Sequence, residues 1–329
     1  MHKKINRMKQ AINTMNNLGA ARTPFLFIID YEMKKPIVYS FDKTPKDVMF
    51  DINGISNVKS DEITKNSSDF YFKKKPVDFL TYQKTFNKII AHLNYGNSYL
   101  ANLTQPTSIE TNLSLQTIFY KSQAKYKLCY KDEFVVFSPE IFVQINQQII
   151  TSFPMKGTID ASIPNAEQII LSDEKETAEH YTIVDLIRND LSMVAKNVTV
   201  EKFRYIDHLK TSNKHLLQVS SKISGELPSD YNKHIGDLIF KLLPAGSISG
   251  APKKKTIEII SEAEQYARGY YTGIMGYFDG ENLDSGVMIR FIEKTPQGMI
   301  YKSGGGITAK SDVVKEYQEL IDKVYVPIA

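Results

Sequence analysis

"TGIMGYFDGENLDSGVMIRFIEKTPQGMIYKSG", residues 272–304, decides how the rest of the chain is read. It divides into three strand-like runs, 272–279, 285–293 and 299–304, each with alternating or continuous apolar side chains. Between them stand "FDGENLD", with an Asp-Gly turn signal, and "KTPQG". Strands joined by turns this short run antiparallel, because a parallel return needs a much longer crossover. Outward from this stretch, further runs at 25–30, 36–41, 133–138 and 141–151 extend the β content. Helical periodicity occupies about 82–95, 113–123, 174–194, 233–242, 253–268 and 312–324. These helices cluster instead of alternating one-for-one with strands, which predicts the α+β class.

The 329 residues, 42% of them hydrophobic, suffice for a large core. A net charge of +4, from 41 basic and 37 acidic residues scattered along the chain, is too balanced for a nucleic-acid footprint. The single cysteine, Cys129, cannot form an internal disulfide, which fits a cytoplasmic location. No apolar run approaches the ~18 residues of a membrane span. In the basic opening segment, Ile5, Met8, Ile12 and Met15 recur at helical spacing, so an amphipathic helix ending near Gly19 is expected rather than a targeting peptide. The polar region 42–78 is expected as a surface excursion. With no repeat and no long linker, one domain over 1–329 is expected.

Several segments could carry chemistry. "LLPAGSISGAPKKKTIEII" (242–260) lacks phosphate-loop spacing and reads as a small-residue turn delivering Pro252 to the first helical position, where an anion could also be attracted. Gly304, Gly305 and Gly306 leave a strand and expose backbone N–H groups, the local setting of an anion cradle. Glu316, Glu319 and Lys323 share a helix face, which by periodicity alone is a solvated one with an i,i+4 pair. In the helix near 174–194, Glu176 and His180 lie in line with the apolar stripe and Glu179 at its border. Two Glu-x-x-Glu pairs on separate helices could form a hard, oxygen-rich site suited to magnesium. Glu140 in "FSPEIF" reads as a turn acid, and Lys156 in "SFPMKGTID" as a surface cation.

Eight blocks in order resemble the chorismate-utilising enzymes over residues 80–326: "GNSYLANLT", "SPEIF", "PMKGT", "EKETAEHYTIVDLIRNDL", "LLPAGSISGAPKKKTIEII", "YTGIMGYF", "VMIR", and "GGGI" with "EYQELIDK". The resemblance implies a sandwich of two large antiparallel sheets flanked by helices, with a cleft for chorismate. Residues 1–79 would be a shorter amino-terminal part of that sandwich, with no recognisable tryptophan-binding element. It implies Mg²⁺ held through Glu179 and Glu319, with Glu316 close by. It also implies carboxylate-binding groups at Gly157, Thr158, Tyr271, Arg290, Gly304, Gly305, Gly306 and Lys323.

Leu100 stands where isochorismate-forming members carry a lysine base, and Gln218 where anthranilate-forming members carry a histidine. Lys156 in "PxKGT" resembles the aminodeoxychorismate synthase component I branch, which feeds 4-aminobenzoate and folate synthesis; anthranilate synthase component I is the alternative. The resemblance implies Lys156 as nucleophile at C2, with a depressed pKa in the closed cleft, and Glu140 as general acid. Because Cys129 lacks a nucleophile setting, the chain is expected to take free ammonia or to pair with a separate glutamine amidotransferase subunit, the latter as the resemblance implies.

Overall fold

The computed structural model describes residues 2–59, 70–210 and 215–328. Two antiparallel sheets dominate it, each of nine strands among these residues. The first runs, neighbour to neighbour, Met155–Asp160, His215–Glu226, Ile149–Ser152, Ile141–Asn146, Leu283–Val287, Ile274–Phe278, Phe25–Ile29 and Ile37–Ser40, with Lys196–Lys210 also pairing His215–Glu226. The second runs Gly250–Ala251, Leu100–Thr111, Gly298–Ile307, Phe291–Thr295, Phe134–Ser138, Tyr126–Tyr130, Val48–Ile52 and Ile55–Ser56, with Phe72–Lys75 also pairing Leu100–Thr111.

Strand pleating explains the layers. Alternate residues face opposite sides, and "FLFII" (25–29) is buried on both. Leu26 and Ile28 pack with Phe50, Leu128, Met275 and Phe291 in a core drawn from both sheets. Phe25, Phe27 and Ile29 instead face Met15, Ile187 and Leu238 of helices His2–Ala20, Glu174–Ser192 and Ile235–Leu242. On the far side of the second sheet, Val135 and Phe137 meet Ile118 and Phe119, while Leu103 and Ile307 meet Phe86, Ile260 and Leu320. Each such buried side chain contributes roughly 1.5–3 kcal/mol, so each sheet covers one face with the other sheet and the opposite face with helices. Among the described residues no helix is long and apolar enough to cross a membrane.

The opening hairpin reading holds at both turns. Asp279 accepts from the N–H groups of Glu281 and Asn282 at 2.7 and 2.6 Å, closing the first hairpin. Phe291–Thr295 pairs with Gly298–Ile307 across the second. The middle run, however, is not one strand. Leu283–Val287 belongs to the first sheet and Phe291–Thr295 to the second, with 288–290 crossing between them and Arg290 at φ 53°. A continuous apolar run is buried wherever it goes, so periodicity carries no mark of a change of sheet.

Other boundaries shift for local reasons. Gln147 and Gln148, both at positive φ, turn the expected 141–151 strand into a hairpin. The 42–78 excursion contains a buried strand, Val48–Ile52, paired with Tyr126–Tyr130; residues 60–69 lie outside the described residues, as does the side chain of Ile5. Pro252 caps the helix Lys253–Ala263 rather than opening it. The strands Leu100–Thr111, Lys196–Lys210 and His215–Glu226 are rich in polar residues and carry little apolar signal.

Candidate active site

Lys156 lies on the strand Met155–Asp160, whose register against His215–Glu226 shifts between Lys156 and Thr158. Gly157 supplies the bulge at φ 76°, a conformation that costs a side-chain-bearing residue dearly. The lysine Nζ donates to Glu179 Oε2 at 2.8 Å, with the Lys156 side chain 23% exposed and that of Glu179 5%. Glu179 is placed by the helix Glu174–Ser192, whose first turn is capped by the Asp173 carboxylate accepting from Glu176 N–H at 2.8 Å. Burial pulls the Lys156 ammonium down, but the charge and hydrogen bond of Glu179, with Glu176 and Glu319 behind it, outweigh that and hold its pKa above the ordinary lysine value. The expected depressed lysine therefore does not occur in this structure, because the carboxylates that surround the amine stabilise its charged form.

The glycine run faces these groups. Gly304, Gly305 and Gly306 pair with Thr104, Leu103 and Asn102. A Cβ placed on Gly306 would lie 3.0 Å from Lys156 Nζ, and one on Gly305 would lie 3.6 Å from Glu316 Oε2, Glu319 Oε1 and Lys323 Nζ alike. The helix Val313–Asp322 presents those last three, held at its start by Asp312, which accepts from Val314 and Lys315 N–H. Lys74 Nζ, from the neighbouring edge strand, donates to Ile321 C=O at 2.8 Å near its end. Lys323 Nζ pairs with Glu319 at 2.6 Å and donates to Gly304 C=O at 2.8 Å.

Glu140 stands at the start of the strand Ile141–Asn146. Its Oε1 accepts a hydrogen bond from Ser247 Oγ, and its backbone N–H donates to Ser138 Oγ at 3.1 Å. Burial raises its carboxyl pKa above the ordinary range, and the Ser247 hydrogen bond with the charges of Lys156, Lys323 and Arg290 offsets this only in part. Arg290 lies with its guanidinium 5.3 Å from the centroid of the Tyr325 ring. Tyr271 is buried and packs on Phe291 at 5.9 Å between ring centroids.

The residues that the resemblance places at the site line one cavity of about 1180 Å³: Glu140, Lys156, Gly157, Thr158, Glu179, Tyr271, Arg290, Gly304, Gly305, Gly306, Glu316, Glu319 and Lys323. Thr158 and Glu319 are its exposed members. Gln218 also lines it, its amide donating to Met155 Sδ at 3.0 Å. Leu100 is buried, its Cδ1 3.1 Å from a Cβ on Gly306 and thus beside the lysine. Cys129 is buried in the second sheet with its thiol pKa pushed up to about 12.

Sequence reasoning missed Ser247 and Tyr325 as lining groups. Ser247 is hidden in a small-residue turn, and Tyr325 follows the last helix without any periodic signal. No three His, Cys, Asp or Glu side chains among the described residues already close around an ion position. The oxygen donors of Glu179, Glu316 and Glu319 nevertheless face the glycine cradle. Magnesium keeps much of its coordination in water and substrate oxygens and needs only one or two protein carboxylates. In that respect the donor set fits.

Comparison with known proteins agrees with this arrangement. The family model described as chorismate binding enzyme matches residues 7–329. The chain is 50% identical over 322 residues to an uncharacterized PabA-like protein of Haemophilus influenzae, covering 98% of this chain and 97% of that one. It is 37% identical over 195 residues to the anthranilate synthase component 1 of Aquifex aeolicus, covering 56% of this chain and 38% of the relative. It is 35% identical over 261 residues to the aminodeoxychorismate synthase component 1 of Klebsiella aerogenes, covering 74% and 56%. The match to the family model spans both sheets and every residue of the cavity just described, and the chain belongs to the chorismate-binding enzymes.

Proposed function

We propose that this enzyme aminates chorismate at C4 to give 4-amino-4-deoxychorismate, using ammonia delivered by a separate glutaminase subunit. The observation that carries this reading is Lys156, an amine inside the cavity beside the glycine cradle and on the same cavity wall system as Glu140. Leu100 supports it, since a hydrocarbon beside the cradle cannot activate water. Gln218 supports it as well, since an amide cannot exchange a proton as a histidine would when pyruvate is eliminated.

Glu179 and Glu319, with Glu316 close by, would hold magnesium, which when bound supplies positive charge for the ring carboxylate. Arg290, Lys323 and the glycine N–H groups bind the carboxylates by charge-assisted hydrogen bonds. Lys156 acts from its neutral form, and that free amine forms a bond to C2. The C4–O bond breaks as Glu140 protonates the departing hydroxyl, which leaves as water. Ammonia then bonds to C4, the C2–N bond to Lys156 breaks, and the Glu140 carboxylate takes the surplus proton from the new amine. The sum is chorismate plus ammonia giving product plus water.

The test is incubation with chorismate, Mg²⁺ and ammonium, with the product identified by mass and chromatography. Aminodeoxychorismate is expected with ammonium and not with glutamine alone, since the chain's single thiol is buried and strongly protonated. Anthranilate as main product would replace this reading with the alternative that the Aquifex aeolicus relative suggests, and isochorismate would exclude both.

A further inference from the structure

We infer that Ser247 is a positioning residue for Glu140, fixing which carboxyl oxygen carries the proton and stabilising the carboxylate as that proton leaves. The inference rests on the reading of Glu140 as the general acid. Ser247 Oγ donates to Glu140 Oε1. An acid that must deliver a proton to a leaving group needs one oxygen committed to a donor so that the other is presented, protonated, to the substrate. A hydroxyl donating to the first oxygen makes that commitment, and it strengthens as negative charge develops on the carboxyl.

The surroundings are built to hold this hydroxyl still. Ser247 lies in the short turn Gly246–Ile248, between the helix Ile235–Leu242 and the strand Gly250–Ala251. Four separate contacts fix that turn. Ser249 Oγ donates to Ala245 C=O at 2.9 Å, and Asn102 N–H donates to Ser249 C=O at 2.9 Å. The buried Arg268 donates to Ile248 C=O at 2.9 Å. Lys253 Nζ, paired with Asp190 at 2.6 Å, also donates to Leu242 C=O at 3.0 Å just before the turn. The Asp190 carboxylate in turn lies 3.2 Å from where a Cβ on Gly246 would be. A turn tied to the second sheet, to the helix Glu174–Ser192 and to Arg268 offers its one free-standing hydroxyl to Glu140 from the first sheet. A backbone so constrained places a hydroxyl within the tolerance that proton transfer demands.

The test compares Ser247→Ala with Ser247→Thr, which keeps a hydroxyl at the same branch. The charged and titratable groups facing Glu140 are Lys156, Lys323, Arg290 and Tyr271, and all are unchanged in both variants. Expected for Ser247→Ala is a kcat lower by about ten- to a hundredfold with KM for chorismate within about twofold. The alkaline limb of the kcat profile, set by loss of the Glu140 proton, should move to higher pH because its carboxylate has lost a donor. Ser247→Thr should recover most of kcat and restore the limb. An unmoved limb, or a loss confined to KM, would overturn the inference.

A second readout is independent of turnover. Carboxyl carbon NMR of glutamate-labelled protein, with the Glu140 resonance assigned by its absence in Glu140→Gln, should titrate at higher pH in Ser247→Ala than in wild type. An unchanged titration overturns the inference even if the wild-type enzyme forms some other product, so failure of the bond and failure of the proposed reaction are told apart.

Discussion

At the scale of single residues, the proposed reaction rests on Lys156. After a chorismate pulse without ammonia, intact-protein mass should show an adduct on wild type and none on Lys156→Ala. Amination by that variant should fall about 10³-fold or more, as expected when a covalent nucleophile is removed; an adduct persisting on it would place the nucleophile elsewhere. Gly305→Ala tests the cradle. Its Cβ would sit 3.6 Å from two carboxylates and an ammonium, an ordinary contact that leaves folding intact but fills space meant for ligand. KM for chorismate should rise about tenfold, near the ~1.4 kcal/mol of one good hydrogen bond, and an unchanged KM would remove Gly305 from the binding surface. Very little of this was legible from any one residue: an isolated lysine, acid or glycine run looks ordinary, and only the order of eight blocks singled them out. Ser247 had no such mark, because a serine in a turn is indistinguishable from turn chemistry until its partner, 107 positions away, is in place.

At the scale of elements, the helix Val313–Asp322 aims Glu316, Glu319 and, at its end, Lys323. Its position depends on the Asp312 cap and on Lys74 from the edge strand. Asp312→Ala should cost about 1 kcal/mol of stability, measurable as a lower urea midpoint. It should also weaken Mg²⁺ affinity more than it raises KM for chorismate, since Glu316 and Glu319 belong to this helix, Glu316 in its first turn, and the arginine does not. Equal changes in both would mean that the cap has only a structural role. Helices were the legible elements here, because their stripes and Asp caps are written in consecutive residues. The long strand Leu100–Thr111 was not, since its burial is set by a partner strand nearly 200 residues away and its Thr, Asn and Gln side chains mask the alternation.

At the scale of the whole molecule, the ion pair Arg268–Glu264 is buried where several segments meet. Arg268, 1% exposed, donates to both oxygens of Glu264 at 2.8 and 2.7 Å and to the carbonyls of Ile248 and Asn102. Thr104 N–H also donates to Glu264 at 2.8 Å. Glu264→Gln leaves a guanidinium buried without its counter-charge and should cost about 3–5 kcal/mol; a loss below ~1 kcal/mol would mean that solvent reaches the pair. Cys129 reports on the core between the second sheet and the residues Ile118 and Phe119. Burial lifts its folded pKa from 9.0 to about 12, so below pH 9 it imposes no penalty. Between about 9 and 12 the unfolded chain ionises first and stability falls. Thiol reagents at neutral pH should label it only on unfolding, and rapid labelling of native protein would contradict the packing. The two hairpin turns that open the sequence reading are local and were legible. The passage of 288–290 from one sheet to the other was not. That passage makes Arg290 a shared rivet: a molecule gripped by Arg290, by Lys156 on the first sheet and by the glycines on the second ties the two sheets together. Occupancy should therefore be felt as slower amide exchange in strands of both sheets at once, and as a rise in the force needed to slide one past the other.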